Sequence, residues 1–183
     1  AIAAEGFGGA LDIFSIINQG SVTNSTFQYN SASLSGGAVY ITHGYSTLIN
    51  NRFLENQAVY GGAVGIQGGE AHGARNTNIT FESNTLEDNT GALGGAMLAF
   101  DVFNPTTEPG DERFSGLTFS KNQYRRNHAT VVGGAVLISS AENVSIDKDH
   151  FTANWSDGAI GGLGLLDVTS GELSKLHFNQ NGA

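Results

Sequence analysis

The feature that most narrows the fold is a glycine pair that returns along the whole chain. Gly8-Gly9, Gly36-Gly37, Gly61-Gly62, Gly94-Gly95, Gly133-Gly134 and Gly161-Gly162 each open a short apolar run: GGALDI, GGAVYI, GGAVGI, GGAMLAF, GGAVLI and GGLGLL. The intervals are 28, 25, 33, 39 and 28 residues. Self-similarity at such a period marks a solenoid, whose units cannot bury their apolar faces until they stack.

A second mark recurs in fixed order with the first. An aromatic or leucine stands three positions before an asparagine at Phe27/Asn30, Phe53/Asn56, Leu86/Asn89, Tyr124/Asn127, Phe151/Asn154 and Phe178/Asn181. Between the two marks lie alternating triplets such as Ile79-Thr80-Phe81, Leu117-Thr118-Phe119 and Val144-Ser145-Ile146, the period-2 pattern of a half-buried strand. Each repeat therefore holds two short strands and a third around the aromatic, with no amphipathic helix. The expected fold is all-β: one domain, 1–183, a right-handed parallel β-helix of about six coils, by the general rule for parallel crossovers. At the ~4.8 Å spacing of paired strands it would be a rod ~30 Å long.

The residue types suit that geometry. Gly-Gly supplies a corner, the following Ala turns inward where space is tight, and pairs such as Val39/Ile41, Val64/Ile66 and Val136/Ile138 alternate into the core. Phe27, Phe53, Leu86, Tyr124, Phe151 and Phe178 are expected to stack along the axis. Asn30, Asn56, Asn89, Asn127, Asn154 and Asn181 are expected to bond to one another as a ladder that satisfies buried amides. Asn51, Asn84, Asn122 and Asp149, two residues before the aromatics, predict a second, partial ladder.

GGAVYI, GGAVGI and GGAVLI, paired with FQYN, FLEN and FTAN, resemble the GGA(I/L/V) and FxxN repeats of the chlamydial polymorphic membrane proteins. The resemblance covers nearly the whole chain. It implies the β-helical passenger of an autotransporter, displayed on the cell surface and acting in adhesion. The chain departs from that family in having no cysteine and no membrane-barrel segment.

Seventeen acidic against eight basic residues give a net charge of −9, a field that repels nucleic acid and anionic membrane. Without cysteine there is neither a disulfide framework nor a thiolate metal site. The apolar runs are shorter than the ~20 residues a membrane helix needs. The first residues carry no signal core, so the chain reads as a mature or excised piece.

Catalytic patterns are sparse. Polysaccharide-cleaving β-helices gather Asp with Arg or Lys on one face, through Ca²⁺ or paired carboxylates. Here Asp12, Asp101 and Asp167 follow glycine-led strands of the first, fourth and sixth coils, not neighbouring ones. Glu87-Asp88 and Arg125-Arg126 share turn positions and predict an exposed ion-pair ladder. His43, His72, His128, His150 and His177 have no metal-ligand spacing, and His150 and His177 share an exposed repeat position. No GGxGxD calcium repeat occurs. The expectation is no catalytic residue, no cofactor and no metal.

Two features stand outside the fold. The longer repeats carry insertions at Gly68–Asn78 and about Asn104–Arg113, both at one corner of adjacent coils, where a recognition surface would form. Four sites match the N-glycosylation pattern. Asn154 belongs to the ladder, so Asn24, Asn78 and Asn143, read as corner residues, are the candidates. Neither end shows a capping repeat, which predicts continuing coils or head-to-tail stacking of copies into a filament. The expected function is a non-catalytic structural or adhesive protein, extracellular or on the cell surface, whose partners are itself, further coils, a host surface or a glycan. The alternative is a polysaccharide-active or carbohydrate-binding β-helix with its site beside the insertions.

Overall fold

The described residues of the computed structural model are 2–3, 6–68, 77–102 and 116–183, with the side chains of 2, 3, 15–19 and 43 not among them. They form a parallel β-helix of six rungs, in which strands pair in parallel from each rung to the next. Residues 69–76 and 103–115, nearly all of the two expected insertions, lie outside the described residues.

The three expected faces are present. On the first two rungs single long strands, Leu11–Thr23 and Val39–Ile49, sweep across the first and second faces. On later rungs these divide into Val64–Gln67 and Thr77–Glu82, Met97–Val102 and Gly116–Ser120, Val136–Ala141 and Val144–Asp147, and Leu163–Val168 and Gly171–Ser174. The third face is a six-stranded sheet of aromatic-centred strands from Thr26–Gln28 to His177–Asn179. Inward residues of all three faces form one core, including Val39, Ile41, Phe53, Ile79, Phe81, Leu86, Phe119 and Tyr124.

A fourth, short side was not anticipated. Ser31–Ala32, Gln57, Thr90–Leu93, His128–Val132 and Trp155–Ser156 align rung on rung between the asparagine and the glycine pair. Its inward positions are Ala32, Ala58, Gly91, Ala129 and Ser156, all buried. Only small residues fit there, because the chain is about to double back at the glycine corner.

That corner explains the glycine pair. The first glycine is left-handed, with φ of 62° at Gly36 and 65° at Gly94. The second passes so close to the next rung that a Cβ on Gly37 would lie 2.1 Å from the Gly62 carbonyl oxygen. Left-handed residues of other types mark the remaining corners. Tyr29, Glu55, Asp88, Arg126, Ala153 and Gln180 precede the first asparagine ladder, and Asn50, Ser83, Lys121 and Lys148 precede the second. At each, the chain turns so that the following backbone N–H points along the axis.

The sixth rung corrects the simple repeat reading. Gly133 and Gly134 donate their N–H groups to the carbonyls of Ala159 and Ile160, and Val136 pairs with Leu163. Gly161-Gly162 is therefore shifted by one residue: Ile160 occupies the left-handed corner at φ 62°, and Gly162 stands where other rungs have alanine. A β-branched residue in that region is strained. Ile160→Gly is expected to raise stability by about 1 kcal/mol, the left-handed penalty less the entropy that glycine gains on unfolding. Urea unfolding checks this, and a fall in stability would mean that the isoleucine side chain outweighs the strain.

Candidate functional site

The expected interior ladder is complete. Asn89 Oδ1 accepts from the backbone N (2.9 Å) and Nδ2 (3.0 Å) of Asn56, while its own Nδ2 donates to Phe53 O and Asn127 Oδ1, both at 3.0 Å. The same pattern joins Asn30 to Asn56, Asn127 to Asn154 and Asn154 to Asn181. Beside it Phe27 stacks on Phe53 at 5.0 Å, Tyr124 on Phe151 at 4.7 Å and Phe151 on Phe178 at 4.9 Å, with Leu86 between Phe53 and Tyr124. These residues hold the fold, and the inner ones are out of reach of any ligand.

Outside, the anticipated ion pairs form. Arg126 binds both Glu87 and Asp88 of the previous rung, Lys121 binds Glu82 at 2.8 Å, and Arg125 turns to Gln123. Such exposed pairs contribute little. Asp101 and Asp167 share a left-handed corner column with Ser140 of the intervening rung, and Asp12 lies at the start of the strand Leu11–Thr23 in another column, so the three do not converge. His150 and His177 are exposed and stacked at 4.5 Å; His72 lies outside the described residues. Among the described residues no three His, Asp or Glu side chains gather as metal ligands would.

Of the glycosylation candidates, Asn24 and Asn143 are exposed at left-handed corners. Asn78 is not at a corner: it lies within the strand Thr77–Glu82, half-buried and paired between Tyr45 and Gly116. The two-residue start of that strand before the Ile79-Thr80-Phe81 triplet had no sequence signal.

Two concave surfaces flank the glycine corner, and neither was foreseen. One is an apolar elbow of about 420 Å³ lined by Tyr60, Leu93, Leu98, Phe100, Val132 and Leu137. The other is a trough of about 380 Å³ along the short fourth side, with Ser31, Ser33, Gln57, Thr90 and Thr130 in its wall. In the rungs beyond it stand His128, Trp155 and Asp157. The Asp157 Oδ1 atom accepts from Trp155 Nε1 at 3.2 Å and meets His128 Nε2 at 2.9 Å. The histidine contact, more than the indole, holds the Asp157 carboxyl below its usual range.

No protein-family model matches the chain, and no solved structure matches it. Over 143 residues, 76% of its length, the chain is 30% identical to the metabotropic glutamate receptor-like protein R of Dictyostelium discoideum. It spans 8% of that protein's length.

The second ladder ends on a buried carboxyl. Asn51 donates to Asn84, Asn84 to Asn122, and Asn122 to Asp149, whose Oδ1 receives the Asn122 backbone N–H at 2.8 Å. Asp149 is 0% exposed, and burial pushes its carboxyl up to about 6 despite hydrogen bonds from Asn122 and the Tyr124 hydroxyl. Below about pH 4 both folded and unfolded chains hold this proton, so the group costs nothing. Between pH 4 and 6 the unfolded chain ionises while the folded one resists, so stability falls as pH rises and stays lower above pH 6. The penalty is on the order of 2–3 kcal/mol at neutral pH. An asparagine there could donate to the rung below, as Asn84 does to Leu48 O and Asn122 to Phe81 O. Asp149→Asn is expected to raise stability at pH 7 and to remove the gain expected of the parent chain between pH 7 and 5. Denaturant melts at both pH values decide it: an unchanged pH profile would contradict this role for Asp149.

Proposed function

We propose that this chain is a non-catalytic structural or adhesive segment of a cell-surface β-helix that stacks end to end with copies of itself. The observation that carries the reading is the upper face of the sixth rung. Leu173 and Phe178 are 48% and 54% exposed there, while their partners one rung below, Ile146 and Phe151, are 2% and 1% exposed. Asn181 sits beside them as the last member of a ladder whose every earlier asparagine bonds onward. A second copy stacked on this face would bury the apolar strip and extend the ladder. Such a contact is heterologous, so copies would form a filament.

The likeness to a short stretch of a long receptor-like protein supports a segment within a larger surface architecture, as does the resemblance of the repeats to chlamydial passenger repeats. The carboxylates named in the described rungs are spread among ion pairs and corners, which supports a scaffold over a hydrolytic site. A glycan-binding role is the second reading, favoured by the exposed group around Trp155.

Sedimentation velocity of the purified chain tests the stacking. The expected result is mass that grows with concentration and is suppressed by Phe178→Asp, which sets a charge on the stacking face. A monomer at every concentration would contradict end-to-end assembly, and release of sugar from any polysaccharide would contradict the non-catalytic reading.

A further inference from the structure

The outer face of the fourth side is ordered by the same register as the core. Its outward column runs Ser31, Gln57, Thr90, His128 and Trp155, one residue per rung. Between these positions the buried small residues fix the backbone, so the outward side chains project at ~4.8 Å intervals from a rigid floor. The trough over this floor is lined by hydroxyl and amide groups with methyl edges from Ala58, Val59 and Ala92. Among the described residues no cationic side chain lines it, and the chain carries a net charge of −9. An anionic polymer or phosphate would be repelled, and a lipid or apolar peptide would strand the polar wall.

At its end the constellation changes character. Trp155 is 50% exposed, yet its ring is held: Nε1 is anchored on Asp157, and the ring lies over Gly182 of the following rung. A Cβ at 182 would come within 2.3 Å of the indole, so only glycine lets the ring rest there. His128 fixes the same carboxylate oxygen, leaving Asp157 Oδ2 without a hydrogen-bond partner among the described residues. A fixed, half-exposed indole face beside a free carboxylate oxygen is a preorganised arrangement, with ordering costs already met by the fold.

We propose that the fourth side binds a neutral glycan chain along the helix axis, with one pyranose ring stacked on Trp155 and its hydroxyls bonded to Asp157 and His128. A pyranose offers both chemistries at once, an apolar C–H face for the indole and an equatorial rim of hydroxyls for an ionised carboxylate. The next sugars lie over Thr130 and Thr90, because one sugar unit is close in length to one rung. This site lies on the fourth side, set apart from the stacking face at Leu173 and Phe178. Its failure leaves the structural reading standing, and failure of stacking leaves this site standing.

Trp155 is the chain's sole tryptophan, so its fluorescence reports this site alone. The probes are cellotetraose as a neutral β-linked chain and tetragalacturonate as its anionic counterpart. A saturable change in Trp155 emission with cellotetraose, and none with tetragalacturonate, is the expected result. By calorimetry, Trp155→Ala should weaken cellotetraose binding at least about tenfold, with Trp155→Phe retaining part of it. Asp157→Asn, which keeps the indole in place, should weaken binding severalfold and guards against a folding defect in the alanine variant; circular dichroism confirms the fold of each. No saturable response to cellotetraose, equal binding by the anionic chain, or undiminished binding in Trp155→Ala would each overturn the proposal.

Discussion

A primary amide inside a stack of phenyl and aliphatic side chains has donors and an acceptor that must all be met, at a cost of roughly 1–3 kcal/mol for each group left unpaired. In this molecule the partner is the same amide one rung away. Asn89 makes two such bonds, one received from Asn56 Nδ2 and one given to Asn127 Oδ1, and two more with backbone, from Asn56 N–H and to Phe53 O. This requirement fixes the rest. Rungs must sit in strict register, so the aromatics beside the ladder stack face to face. The N–H of each asparagine must point along the axis, so the residue before it takes a left-handed conformation even where it is tyrosine, glutamate or arginine. The strain at those corners is carried because the ladder over-determines them.

Sequence periodicity revealed the columns that repeat by residue type. Both ladders, the aromatic stack and the alternating strands lie where spacing had set them, because each depends on one kind of side chain recurring once per coil. What escaped were features defined by smallness or by position. The fourth side reads as a linker in SASLS, QAVY and HATVV, and its signal was the small residue two places after each ladder asparagine: Ala32, Ala58, Gly91, Ala129 and Ser156. The slip at Ile160 was masked by a glycine pair that is present but displaced by one residue. Asp149 was legible as a ladder member, yet its raised pKa follows from burial that only the assembled rungs supply. The contact of His128 with Asp157 joins residues a full coil apart.

The same division separates scaffold from function. Inward columns are constrained by stacking, whereas outward columns vary freely from rung to rung, as the sequence Ser, Gln, Thr, His and Trp on the fourth side illustrates. Recognition can therefore be written on the outside without disturbing the core, at a spacing the core dictates. The exposed Arg126, Glu87 and Asp88 cluster shows the limit of that freedom: well paired, but too wet to matter much for stability.

The asparagine ladders are expected to bind the six rungs into one cooperative unit. Hydrogen exchange read by NMR at the backbone N–H and side-chain NH₂ groups of Asn56, Asn89 and Asn127 addresses it directly. If the ladder is the unit of cohesion, these groups exchange together and only through the slowest, global opening of the inner rungs. Side-chain NH₂ groups that exchange rapidly while the flanking strand amides stay protected would show that the rungs cohere through their backbone alone, and would contradict a cohesive role for the ladder.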